Sequence, residues 1–329
     1  MAETPSVSVI ATVLNEVEAI RSLVLSLTQQ TLSNIEIIVV DGGSVDGTWE
    51  RLQELALQHK NLRIIRDESC NLKATPGPIA RGRNRAIREA SSEVIACADS
   101  GCQYEAEWAA NLTAPIFSKE AEYALGGSCI DPAQATTWDL AAAPFLGLKL
   151  QTEGRRKSGT ARSMAMRKHV WERVGGFPET TLFGEDTLFD LQARKIAPPA
   201  FPSGAMARYA PRFTLKSAAA RLGAYAAADG RLGIRRARFV RNLLRCVLEM
   251  AALIALWWAA IPVLLVALLE IYYAFGRGAH GVFQRSLGRT VKAVFARIFF
   301  SLMAPWIVAS HYLAGSWSKV NRANPQNEG

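Results

Sequence analysis

The chain has 329 residues, half of them apolar, 20% of them charged, and a net charge of +9. That length suits roughly two domains, and the composition excludes a disordered, fibrous or wholly membrane-embedded chain. Residues 1–230 carry 25 basic and 26 acidic side chains, whereas residues 231–329 carry 13 and 3, so the positive excess belongs to the C-terminal third.

The opening residues MAETPSVSVIATVLNE have neither a basic n-region nor an apolar run of signal-peptide length, so a cytosolic strand is expected first. Residues 7–13, rich in Val, Ile and Thr between Pro5 and Asn15, read as that strand. Residues 18–30 place Ile20, Leu23, Val24 and Leu27 at helical spacing. The nearly unbroken β-branched run 35–40 marks a strand buried on both faces. Residues 48–58 then read as a helix, 62–66 as a strand, 79–90 as a helix and 93–98 as a strand. This alternation predicts an α/β fold with a mostly parallel sheet and helices on both faces. Right-handed crossovers place ligands at the carboxyl ends of its strands. The five cysteines, Cys70, Cys97, Cys102, Cys129 and Cys246, form no CxxC pair and are expected as reduced thiols.

The pattern changes near Arg231. Residues 246–275 hold two acidic residues in an otherwise apolar run that includes Trp257 and Trp258. Thirty helical residues reach about 45 Å, more than one hydrocarbon core requires. With Pro262 in mid-run, the segment reads as one kinked span or a hairpin of two. A further apolar stretch, 294–313, is interrupted only by Arg297. A buried helical subdomain would use similar runs. The preceding Arg231, Arg235, Arg236, Arg238, Arg241 and Arg245 favour membrane attachment with the catalytic domain cytoplasmic. Membrane lipids are therefore an expected partner. The same arginines lack the aromatic interleaving of a nucleic-acid module, and no nucleic acid is expected. The expected division is a catalytic domain at 1–222, a basic segment at 223–245, membrane-embedded helices at 246–315 and a polar tail at 316–329.

The stretch Asp41-Gly42-Gly43-Ser44-Val45-Asp46-Gly47-Thr48 follows the second strand. A carboxylate there can accept from a base N–H or a ribose hydroxyl, the glycines admit a ligand close to backbone, and Asp46 or Thr48 can cap the next helix. An ordinary capped turn has the same composition. The stretch is neither GxGxxG nor a Walker loop, which counts against dinucleotide oxidoreductases and P-loop NTPases.

Taken with Asn15-Glu16, Arg81-Gly82-Arg83-Asn84, Asp99-Ser100-Gly101, Trp171 with Gly175-Gly176-Phe177, and Gly184-Glu185-Asp186, this stretch resembles the family 2 inverting glycosyltransferases with the GT-A fold. The resemblance covers roughly residues 5–222, with apolar membrane helices expected to follow. It implies Asp186 as general base, with Glu185 beside it as a second catalytic candidate. It implies nucleotide-sugar contacts from Thr12, Glu16, Asp41, Arg83, Asp99, Arg162 and Arg208, and a divalent cation, Mg²⁺ or Mn²⁺, at Asp99. Gly101 stands at the third position of the family's DxD, and Arg208 aligns where relatives often carry His. A weakened or altered metal site is therefore expected, with Arg208 neutralising the diphosphate. The basic run Arg155-Arg156-Lys157 reads as a solvated loop. The absence of QxxRW counts against a processive polysaccharide synthase.

The implied activity is inverting sugar transfer from a nucleotide-diphosphate sugar, a UDP-sugar first, to a lipid-linked or membrane-proximal glycan. Two alternatives stand beside it: a polyprenyl-phosphate sugar synthase, and a non-catalytic membrane scaffold of the same fold.

Overall fold

A computed structural model describes residues 7–130, 134–148, 160–255, 260–275 and 287–323. The chain divides into two compact units: Met1–Cys129 with Thr152–Ala210, and Ile130–Gln151 with Pro211–Gly329.

In the first unit the chain runs β1 (Val7–Val13), α1 (Val17–Thr28), β2 (Ile35–Asp41), α2 (Thr48–Gln58), β3 (Leu62–Arg66), α3 (Pro78–Glu89), β4 (Val94–Cys97), β5 (Cys102–Tyr104), α4 (Trp108–Phe117), β6 (Tyr123–Leu125) and β7 (Gly127–Ile130). The second unit contributes α5 (Thr137–Ala142), after which the first resumes with β8 (Met164–Arg167), α6 (Lys168–Val174), α7 (Glu185–Ala193) and β9 (Met206–Tyr209). The main sheet has the order β3-β2-β1-β4-β8-β6, and β5, β9 and β7 form a smaller sheet. Strands β1 to β4 pair in parallel, while β8 joins β4 and β6 antiparallel. The mostly parallel α/β architecture is therefore as the sequence predicts.

Alternation along β1 and β2 sorts their side chains into two cores, because successive residues face opposite sides of a sheet. Val7, Val9, Ala11, Ile37 and Val39 pack with Ile20, Leu23, Val24 and Leu27 of α1, Leu52 and Leu55 of α2, and Trp108 of α4. Ile10, Ile38, Val40 and Ile95 pack with Ala80, Ala86 and Ile87 of α3 and Phe189 of α7. Each fully buried Leu, Ile or Phe contributes about 1.5–3 kcal/mol. The strand order reverses direction of travel between β1 and β4, so the carboxyl ends of β1, β2 and β4 frame the crevice where such folds bind ligands.

The second unit adds α8 (Leu215–Leu232), α9 (Arg236–Ala255), α10 (Ala260–Phe275) and α11 (Leu287–Ala323). Contacts thus divide the chain after Ala210 and not after 222, and they move residues 130–151 into this unit. The reason is local. Asp139 accepts from the Phe213 backbone N–H at 2.7 Å and Thr136 donates to the Phe213 carbonyl at 3.1 Å. Ala141, Leu146, Phe213, Leu222, Phe300 and Val308 share one core. Helices α8 and α11 cross at small residues, for a Cβ on Gly230 would stand 2.1 Å from the Tyr312 carbonyl oxygen.

The 246–275 run lies on two helices, α9 and α10, while Trp257 and Trp258 lie outside the described residues. The stretch Val294–Ser318 of α11 is long and apolar enough to cross a membrane. The unit carries polar groups inside and large apolar side chains outside. Arg245 is buried and pairs with Glu270, Ser301 donates to Glu270, and the Trp306 indole donates to Glu249 at 2.7 Å. Leu243, Leu244, Val247, Leu248, Leu264, Leu265, Leu268, Phe295 and Phe299 are exposed. The expected row of lipid-facing arginines is reduced, because Asp229 holds Arg235 at 2.9 Å and Arg238 at 3.6 Å while Arg245 turns inward. All five cysteines are buried and free.

Candidate active site

The carboxyl end of β2 presents Asp41, fully buried. Its Oδ1 accepts from the backbone N–H groups of Gly43 and Ser44, each at 2.9 Å, which fixes the carboxylate. Its Oδ2 is buried and has no hydrogen-bond partner. A buried, orphaned carboxylate oxygen is costly, and a base or ribose donor would satisfy it. Around it the two loops are laced together: Asn15 accepts from the Val45 N–H at 3.0 Å, and the Glu16 N–H donates to Thr48 at 2.8 Å. Glu16 therefore begins α1 in the same loop cluster. Asp46 does not cap α2 in the simple way expected. Gly47, at φ +98°, takes the N-cap position, while Asp46 accepts from the Val17 N–H at 3.2 Å and the Thr48 N–H at 3.1 Å. Thr12, near the end of β1, lies under α3 at Gly82, where a Cβ would come within 2.5 Å of the Thr12 hydroxyl. Glycine there lets α3 lie close on β1 and sets the next residue's direction.

That residue, Arg83, is buried. Its guanidinium donates to Asp99, just beyond β4, at 2.7 Å and to Glu185, the first residue of α7, at 2.8 Å. It also sits 5.5 Å from the Phe177 ring. Two strands' worth of fold and a distant helix are tied by one planar fork, which a lysine's point charge would not reproduce. Burial, then the neighbouring Asp186, push the Glu185 carboxyl up to about 7, against the pull of Arg83. Asp186 is half-buried in the first turn of α7, behind Gly184 at φ +87°. Its Oδ1 accepts from the Thr187 N–H at 2.7 Å, and its Oδ2 takes only a long contact, 3.4 Å, from the Ala161 N–H. One oxygen is anchored while the other is lightly engaged and oriented.

Asn84 has a role that sequence reasoning missed. It donates to the Phe177 carbonyl and to Glu179, and accepts from the Phe177 N–H and the Trp171 indole, all at 2.8–2.9 Å. The Arg-Asn pair thus divides its labour: Arg83 carries the charge, and Asn84 pins the Gly-Gly-Phe turn.

Arg162 lies in a short turn, Ala161–Ser163, before β8. Its guanidinium stacks 4.4 Å from the Tyr209 ring centroid and reaches Asp99 Oδ2 only at 3.9 Å. Tyr104, also missed, bridges the two backbones: its hydroxyl accepts from the Asp99 N–H and donates to the Arg162 carbonyl, each at 2.9 Å. Arg208 does not join this group. It is exposed and pairs with Glu105, because neighbours on β9 face opposite sides and Tyr209 takes the side toward Arg162. The expectation that Arg208 meets the diphosphate is corrected accordingly. The run Arg155-Arg156-Lys157 lies outside the described residues.

The residues around Asp99 do not fit a resident divalent cation. Both Asp99 oxygens already face guanidinium groups. Unit charges 4 Å apart at an effective dielectric of 20 repel by about 4 kcal/mol, and a divalent ion doubles that. At Gly101, φ is +71° and a Cβ would touch the Tyr209 ring at 3.4 Å, so a carboxylate there would be strained. Among the described residues, no group of three or more His, Cys, Asp or Glu is placed to hold a metal.

Residues 8–174, half of the chain, match the family described as glycosyl transferase family 2. The glycosyltransferase AglE of Haloferax volcanii is 29% identical over 202 residues, 57% of this chain and 61% of that protein. The putative glycosyltransferase EpsH of Bacillus subtilis is 38% identical over 98 residues, 30% of this chain and 26% of that protein. The chain thus spans less than two thirds of the length of these curated relatives. Among solved structures, the mannosyltransferase PcManGT from Pyrobaculum calidifontis, in complex with GDP-Man and Mn²⁺, superposes with a TM-score of 0.54 at 17% identity. That superposition covers 97% of this chain and 88% of the neighbour, and at that identity it speaks to the GT-A fold alone.

Proposed function

This chain belongs to glycosyl transferase family 2, and on that premise we propose that it moves a sugar, with inversion, from a nucleotide-diphosphate sugar to a glycan acceptor. The reading is carried by one observation: Arg83 holds Asp99, at the donor strand, and Glu185, at the start of the acceptor-side helix, on one buried guanidinium. Asp186 is thereby fixed one residue from the hub.

In the proposed step, the acceptor hydroxyl oxygen attacks the anomeric carbon from the face opposite the diphosphate. Its proton passes to Asp186 Oδ2 as the new C–O bond forms. The anomeric C–O bond to phosphate breaks, and the nucleoside diphosphate leaves with the electron pair. The unpartnered Asp41 Oδ2 receives a donor group from the nucleoside, with Thr12 and Glu16 beside it. A UDP-sugar is the first donor to test; a GDP-sugar is the second, since the Pyrobaculum neighbour binds GDP-Man. That neighbour also holds Mn²⁺, but no step here is routed through a metal, because the Asp99 surroundings do not fit one.

The second unit is proposed to hold the chain on a membrane, catalytic unit to the cytoplasm, with a lipid-linked or membrane-proximal acceptor. What supports this is its arrangement of buried Arg245–Glu270 and exposed leucines. Exposed apolar area on this scale marks a binding surface, and ionisable groups of membrane helices turn inward. Membranes bearing the full chain, incubated with a panel of nucleotide sugars, should release nucleoside diphosphate and label lipid-extractable material. No turnover with any UDP- or GDP-sugar would overturn the transferase reading. Label appearing only in soluble acceptors would overturn the membrane-acceptor reading.

A further inference from the structure

The two cations at Asp99 are not equivalent. Arg83 is buried and bonds Asp99 at 2.7 Å while also holding Glu185, so moving it would uncover two carboxylates. Arg162 reaches Asp99 only at 3.9 Å, beyond hydrogen-bond distance, and its position is set from elsewhere. Below it the Tyr209 ring lies at 4.4 Å. Behind it the Tyr104 hydroxyl fixes its carbonyl to the Asp99 N–H. The guanidinium is therefore positioned by ring and backbone, with its partner carboxylate held loosely.

We propose that Arg162, seated on Tyr209, is the cation that binds the donor's diphosphate, so that donor binding does not require a divalent metal. The inference deepens the transferase reading and rests on it. Charge and shape both support it. A guanidinium offers two parallel N–H donors to two phosphate oxygens. When a diphosphate arrives, Asp99 loses a contact of 3.9 Å and keeps the one of 2.7 Å to Arg83. The site then exchanges a loose internal pair for a charge-assisted one without leaving a carboxylate unpaired. A metal would have to displace a guanidinium from Asp99 to gain a single ligand, with Gly101 offering none. Arg208, whose side chain leaves the opposite face of β9 to meet Glu105, is not needed.

The test uses the full chain in detergent and measures UDP affinity, with GDP alongside, by calorimetry in Mn²⁺ and in chelator. Affinities within about threefold of each other are expected; loss of binding in chelator would overturn the inference while leaving the transferase reading intact. Arg162→Ala should weaken the nucleoside diphosphate by roughly 10- to 100-fold, the range for one charge-assisted contact. Uridine or guanosine alone, read by saturation-transfer NMR, should bind as before. Equal losses for nucleoside and nucleoside diphosphate would mean a merely structural role and overturn the inference. Tyr209→Leu should weaken the diphosphate by roughly two- to fivefold, the worth of an exposed cation–π contact. Absence of any nucleotide binding, with and without Mn²⁺, would overturn both the inference and the transferase reading.

Discussion

Arg83 and Glu185, 102 residues apart in sequence, meet in a buried ion pair of 2.8 Å. The pair joins the helix packed on β1 to the turn that carries the general base. Asp99 occupies the other arm of the same guanidinium, so one side chain sets the spacing of donor-side and acceptor-side carboxylates.

Removing Arg83 should therefore cost stability before it costs chemistry. Arg83→Ala leaves Glu185 and Asp99 without their shared counterion, and breaking a buried pair from one side typically costs about 3–5 kcal/mol. Arg83→Lys should recover part of the melting temperature but little transfer, since one ammonium cannot serve both arms. A thermal melt of Arg83→Ala within a degree of wild type would contradict this.

The proton on Glu185 gives a second expectation. Its carboxyl is raised to about 7 in the fold by burial and by Asp186, against roughly 4.3 in an unfolded chain. The folded state thus binds the extra proton, and its contribution to stability is full below about pH 4.3 and is lost as pH rises to about 7. Stability should fall across that window by on the order of 1–3 kcal/mol. Glu185→Gln should flatten the profile. Denaturant midpoints at a series of pH values, compared between the two proteins, decide the matter.

For Asp186→Asn the shape and the Thr187 contact survive but the basic oxygen is lost. Transfer should drop by about 10²–10⁴-fold with nucleotide affinity unchanged. Retention of more than about a tenth of wild-type turnover would move the reading to a phosphate acceptor, whose oxygen is already ionised and needs no base.

Asp41→Asn acts on the other side of the reaction. The Gly43 and Ser44 N–H groups keep one acceptor, but the orphaned Oδ2 is replaced or reversed into a donor. Nucleotide affinity should weaken by roughly tenfold or more, the usual worth of a charged hydrogen bond, and the uncharged nucleoside should share the loss. Binding of nucleoside at wild-type affinity would remove Asp41 from the base or ribose.

Membrane attachment is checked through α9. Replacing exposed Leu243, Leu244, Val247 and Leu248 with Ser removes apolar surface without touching the buried Arg245. The wild-type chain should pellet with membranes and resist carbonate, and the variant should be partly released. A wild-type chain in the detergent-free high-speed supernatant would end the membrane proposal.

The parallel sheet was legible in residues 7–98 because strands buried on both faces leave β-branched runs and crossover helices leave a 3.6-residue period. These are local consequences of burial, and the bounds of β3 and α2 agree with the structure to the residue. The resemblance named Asp41, Arg83, Asp99 and Asp186 by their motifs. What the sequence could not determine was who holds whom. Arg162 and Arg208 are both arginines near the end of the catalytic unit, and only the pleat of β9, which sends Tyr209 to one side and Arg208 to the other, separates a cation at Asp99 from one at Glu105. Likewise Arg235, Arg238 and Arg245 count as one basic row along the chain. The helical turn and the acidic partners Asp229 and Glu270 draw them inward, because a charge leaving water needs a counterion, and which counterion is near depends on contacts between residues far apart in sequence.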